Sequence, residues 1–89
     1  MGDDSWYQVR TSGVTWRELG DQIVVLDLET SRYLSVSGAG TEIWPQLVKG
    51  AHIDDLVRCL VEAFDIDEQT ARGDTSVFLD DLRARNLLR

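Results

Sequence analysis

The sequence has one cysteine, Cys59, one histidine, His52, and one proline, Pro45. A single cysteine excludes an intrachain disulfide, and a single Cys with a single His excludes a zinc site built from those ligands. Basic residues are scarce: nine Lys plus Arg stand against sixteen Asp plus Glu, for a net charge of -7. Such a chain is repelled by a phosphate backbone and by an anionic membrane surface. No run approaches the ~20 apolar residues of a membrane span. The acidic start Met1-Gly2-Asp3-Asp4 leads into no apolar stretch, so no signal peptide is visible. Trp6 stands where the myristoylation pattern needs Ser or Thr. Neither GxGxxG nor a phosphate-binding loop with its Lys is present. The expectation is an acidic, cytoplasmic protein without cofactor or metal.

What is present suits one small domain. The 89 residues are 43% hydrophobic and 28% charged. A chain of this length buries roughly 60–65% of its unfolded surface, so its core is thin. Residues 1–13 show no sustained period and read as a flexible lead-in, with Trp6 and Tyr7 able to pack back on a domain spanning 14–89. Val14-Thr15-Trp16-Arg17-Glu18-Leu19 is rich in strand formers and is followed by the turn Gly20-Asp21. Gln22 to Leu28 carries a short, β-branched apolar run, the mark of a central strand. Glu29-Thr30-Ser31 forms a second turn, and Arg32-Tyr33-Leu34-Ser35-Val36 a third strand. Connections this short make the three strands an antiparallel meander.

Helical spacing follows. Ser37 is the expected cap of a first helix carrying Ile43, Trp44, Leu47 and Val48, closed by Lys49-Gly50. Pro45 inside it predicts a kink or a shortened helix. Ile53, Leu56, Val57, Leu60, Val61 and Phe64 make the stripe of a second helix, with His52 as a poor cap and Asp54-Asp55 favoured by the helix dipole. Asp67 caps a third helix with an inward stripe of Ala71, Thr75, Phe78, Leu79 and Leu82. Asn86 stands at its C-terminal end, and Leu87-Leu88 can fold back on the core. Gly73 costs this helix about 1 kcal/mol relative to Ala. The expected fold class is α+β, a three-stranded antiparallel meander followed by three helices.

Catalytic chemistry finds little support. Cys59 lies between Arg58 and Leu60 in an apolar helix and reads as a small buried residue. His52 has no acid-base partner that the sequence can name. Asp65-Ile66-Asp67-Glu68 lacks the Gly and the closing Glu of a calcium loop. The chain reads as a non-enzyme.

The sheet edge is more informative. Arg32 to Val36 has neither Pro nor Lys to block pairing. Two readings stand: the edge is short and covered by the third helix, or it accepts a partner peptide as an added strand. In the second, Leu34 and Val36 face one way, and Tyr33 and Ser35 the other. The third helix supplies the opposite wall, with Asp74, Val77, Phe78 and Asp81 at spacings of three and four and Leu82 beside them. Val77 and Phe78 would take apolar anchors, while Asp74 and Asp81 would select cationic groups or fix register. The candidate site is therefore Arg32, Tyr33, Leu34, Ser35 and Val36 with Asp74, Val77, Phe78, Asp81 and Leu82. An unpaired edge also permits a homodimer.

The ordered series Val14-x-Trp16-Arg17-Glu18, Ile23-Val24-Val25-Leu26-Asp27-Leu28 and Ser31-Arg32-Tyr33-Leu34 resembles the opening of PqqD-like proteins. Ser37-Gly38-Ala39-Gly40-Thr41-x-Ile43-Trp44, Leu56-Val57-x-x-Leu60, Asp74-x-x-x-Phe78-Leu79-x-x-Leu82 and Leu87-Leu88 continue the likeness to the end of the chain. It departs from the family pattern at Pro45, Gly73, Thr75 and Asn86. The resemblance implies a winged helix-turn-helix-like recognition element that binds the leader of a ribosomally made precursor peptide. The leader would pair with the third strand and lie against the third helix. Among such proteins the chain looks most like the stand-alone form of split lasso peptide biosynthesis, whose partner is a separate leader peptidase. A peptide chaperone for another modifying enzyme, such as a radical SAM enzyme, is the alternative within the family. Outside it stand a nucleic-acid-binding winged helix, which the charge opposes, and an acidic carrier protein. A carrier needs a modifiable Ser at a helix start, whereas Thr75-Ser76 lies mid-helix.

Overall fold

Alternation along the meander decides which face of the sheet meets the helices. In the computed structural model, which describes residues 5–89, β2 (Val14–Leu19) pairs antiparallel with β3 (Gln22–Asp27), and β3 with β4 (Arg32–Val36). Ile23, Val25 and Asp27 of β3 point into the interior, and Val24 and Leu26 are half-covered on the other face. The β2–β3 turn is the two-residue Gly20-Asp21, with Gly20 at φ 65°, the left-handed conformation such tight hairpins require. The sheet order is β2-β3-β4, so β4 is an edge.

Three helices share one core with the sheet: α1 (Ala39–Lys49), α2 (Ile53–Phe64) and α3 (Glu68–Ala84). Trp44, Ile43, Leu47, Leu56, Leu60, Leu79 and Leu82 are almost wholly excluded from solvent. Each of the aliphatic side chains contributes about 1.5–3 kcal/mol through burial. Arg72 of α3 donates to Asp54 in the first turn of α2 at 2.9 Å, tying the two helices together. No helix among the described residues is long and apolar enough to cross a membrane.

The helix ends follow local chemistry, with one exception. Asp67 caps α3, its carboxylate accepting the Thr70 N–H at 2.7 Å. That contact, a backbone hydrogen bond to the charged form, holds the Asp67 carboxyl below its ordinary value. The other end of α3 closes as a Schellman motif: Leu87 N–H donates to the Leu82 carbonyl and Asn86 N–H to that of Arg83, with Asn86 at φ 58°. Asn replaces Gly there because its short polar side chain tolerates the left-handed region. The exception is α1. Its cap is Gly38 rather than Ser37, with no side-chain hydrogen bond, because the chain leaves β4 through a positive φ of 59°. Nor does Pro45 shorten α1, which runs on to Lys49.

The largest departure lies at the N-terminus. The expected lead-in over residues 1–13 is packed across its described part, and residues 1–4 lie outside the described residues. β1 (Trp6–Tyr7) pairs antiparallel with β5 (Ala51–His52), which precedes α2. Val9 is fully buried and donates its N–H to the Leu47 carbonyl at 2.8 Å. Arg10 N–H donates to Leu87 O at 2.7 Å, and Arg89 N–H to Gln8 O at 2.9 Å. The segment is thus a strap laid between α1 and the C-terminal tail. Its apolar residues are too few to show a period, so nothing local announces it.

Candidate functional site

Both edges of the meander border a cavity: β2 one of about 270 Å³ lined by Trp16, Glu18 and α1, and β4 a larger one. β4 hydrogen-bonds to β3 on one side only. Alternate N–H and C=O groups along its other side are therefore without a ladder partner among the described residues. At one end Val36 meets Phe78 of α3 over Gly40: a Cβ on Gly40 would lie 2.7 Å from Val36 Cγ1 and 3.0 Å from Phe78 Cε1. At the other end a cavity of about 450 Å³ opens between Tyr33 and Leu34 on one wall and Ala84 to Leu87 on the other. Val25 and Asp27 of β3, with Thr30 and Arg32, complete its lining.

The expected residues divide by position. Tyr33 is 73% exposed, and Arg32 and Ser35 are exposed as well. Leu34 is half-buried and lines the cavity. The Ser35 hydroxyl donates to Gln22 Oε1 at 2.9 Å, across the hairpin. Val36 is 2% exposed, so it offers a partner its backbone and not its side chain. On α3, Val77 is 70% exposed, Asp74 is exposed and Phe78 is half-buried. Asp81 is exposed, but both its carboxylate oxygens accept from Arg85 Nε at 3.2 Å, so it already holds a cation. Leu82 is corrected. It is wholly buried and supports the helix from beneath, because the stripe that includes Ala71, Thr75 and Leu79 turns it into the core.

Asp74, Val77, Phe78 and Asp81 do not line the cavity. Ala84 of α3, with Arg85, Asn86 and Leu87 beyond its end, went unread as site residues in the sequence. The available signal was Asn86, whose tolerance of a positive φ marks where the chain leaves α3 to pair with the N-terminal strap.

Asp27 is the buried charge of the groove. Burial raises its pKa, but the Glu29 N–H at 3.0 Å and the Arg10 guanidinium at 3.3 Å outweigh it, and the carboxyl is held below its ordinary value. Among the described residues no three His, Cys, Asp or Glu side chains gather to hold a metal ion. Cys59 is half-buried, its Sγ 3.9 Å from the Glu42 carbonyl. The arrangement suits binding of an extended chain.

Comparisons with known proteins agree in architecture. The solved structure of TbiB1 in complex with the TbiA(beta) leader peptide matches with a TM-score of 0.83 and 26% identity, over 92% of this chain and 94% of that one. The solved structure of lasso peptide synthetase B1 complexed with the leader peptide matches with a TM-score of 0.82, over 93% of this chain and 96% of that one. At 16% identity the second likeness is one of fold. Comparison with curated proteins finds no match. The family model of coenzyme PQQ synthesis protein D (PqqD) matches residues 22–88, well over half of the chain, and the chain therefore belongs to the PqqD family.

Proposed function

We propose that this protein binds the leader segment of a ribosomally made precursor peptide as an added strand on β4, in the cytoplasm, and presents it to a separate leader peptidase of lasso peptide maturation. The observation that carries the reading is the open β4 edge beside a cavity of about 450 Å³. Strand addition supplies backbone hydrogen bonds and orientation, and the cavity supplies a place for an apolar anchor. Both solved relatives are complexes with leader peptides, which supports the same ligand class here. The protein performs no chemistry itself. It holds the leader and so raises the effective concentration of the attached core peptide at the enzyme.

The test is fluorescence polarisation of a labelled leader peptide, taken from the precursor gene nearest this one, titrated with the protein. Saturable binding that Leu34→Arg weakens, with circular dichroism unchanged, supports the site. Absence of binding overturns it. Adding the protein to a peptidase reaction then separates presentation from binding: cleavage of the precursor rises with the adaptor present. If binding is tight and cleavage does not respond, the partner is another modifying enzyme.

A further inference from the structure

Arg10 touches both walls of the cavity from behind. Its Nη2 pairs with Asp27 Oδ1 at 3.3 Å, on the sheet wall. Its Nε donates to the Asn86 carbonyl at 3.1 Å, on the wall formed by the end of α3. Its Nη1 donates to Ser12 O at 2.9 Å and pairs with Glu29 on the β3–β4 turn. Asp27 and Asn86 both line the cavity, and one guanidinium spans them. The side chain is mostly covered, at 17% exposure. A planar fork of fixed geometry sets a distance between its acceptors that a flexible ammonium does not.

We propose that Arg10 is a positioning residue for peptide binding, which sets the width of the cavity by holding the end of α3 against the end of β3. This rests on the reading of β4 and its cavity as the leader site. It extends that reading to the N-terminal strap, which lies before the residues matched by the family model. Removing the side chain leaves the strap's own backbone ties in place, among them Arg10 N–H to Leu87 O and Val9 N–H to Leu47 O. The strap therefore stays docked while the two walls lose their common partner.

The experiment measures leader-peptide affinity for the full chain and for Arg10→Gln, Arg10→Lys and Val9→Ala, well below their melting temperatures. Arg10→Gln is expected to bind about tenfold more weakly, with its circular dichroism retained. Arg10→Lys recovers part of that loss, because the ammonium still pairs with Asp27. Val9→Ala loosens the same strap from the core, so it lowers the melting temperature but leaves affinity unchanged. Should Arg10→Gln fail to fold, Asp27→Asn reads the same bridge from its other end. Wild-type-like affinity of the Arg10→Gln or Asp27→Asn variant overturns the inference, as does an equal loss in Val9→Ala. A wild-type protein that does not bind the leader overturns the leader-site reading, and this inference with it.

Discussion

Val36 and Phe78 occupy the space that a side chain at position 40 would fill. One residue comes from the sheet edge and the other from α3. Gly40 is what lets the first turn of α1 pass beneath both.

Gly40→Ala sets two effects against each other. Alanine favours a helix interior by about 1 kcal/mol over glycine. The new Cβ, however, would stand 2.7 Å from Val36 Cγ1, and Val36 is buried and branched at Cβ. Overpacking of that kind costs about 1–3 kcal/mol. The expected outcome is a net loss of stability in urea melts, with leader affinity reduced because Phe78 is displaced from β4. A rise in melting temperature would show that the contact relaxes freely.

Tyr33→Ala and Val77→Ala test the surface of the groove without disturbing the core, since both side chains are largely exposed. Stability should change by no more than about 0.5 kcal/mol. Leader affinity should fall in Tyr33→Ala, because Tyr33 lines the cavity, and fall less in Val77→Ala, which lies outside it. Titration of labelled leader against each variant checks the order. Unchanged affinity in both places the site elsewhere.

Leu82→Ala should behave in the opposite way. Leu82 is fully enclosed, and truncating such a leucine costs about 2–5 kcal/mol. In a domain this small that is a large share of total stability. Denaturant melts should show the loss. Leader affinity of the fraction that remains folded should stay near that of the unchanged protein.

Acid should destabilise the fold through Asp27 and Asp67. Both carboxyls are held below their ordinary value of 3.8 in the native state. A depressed native pKa means that the unfolded chain binds the proton more readily, so the stabilisation is present above 3.8 and is lost as pH falls below it. Urea midpoints should be level near neutrality and drop once the pH passes below that value. Asp67→Ala should start lower and show a shallower drop, because only Asp27 of the two is left to protonate.

Much of the fold was legible in the residues. The strands over Val14–Leu19 and Arg32–Val36, the helix over Ile53–Phe64 and the Asp67 cap lie where the sequence places them, because each rests on a local pattern. Strand alternation, a helical stripe and a carboxylate over free N–H groups all act within a few residues. The errors share a cause too. Ser37 has the right chemistry for a cap, but the backbone reaches α1 through Gly38, and a dihedral angle leaves no mark in a neighbouring side chain. Leu82 is assigned both to the inward stripe and to the peptide site, and its full burial leaves it only the first role. The short strands β1 and β5 hold two residues each, too few to show a period.

The sequence by itself determined the order of the three meander strands and the three helices, the unblocked third strand of the meander and an acidic balance unsuited to phosphates, since composition and local spacing settle all three. Only the tertiary structure decided what stands opposite that strand. Arg10 meets the Asn86 carbonyl across 76 positions of chain. Such a contact exists because the strap, the sheet and α3 are packed on one core. The free energy that places it is spread over Val9, Val25, Leu82 and their neighbours rather than written into Arg10 or Asn86.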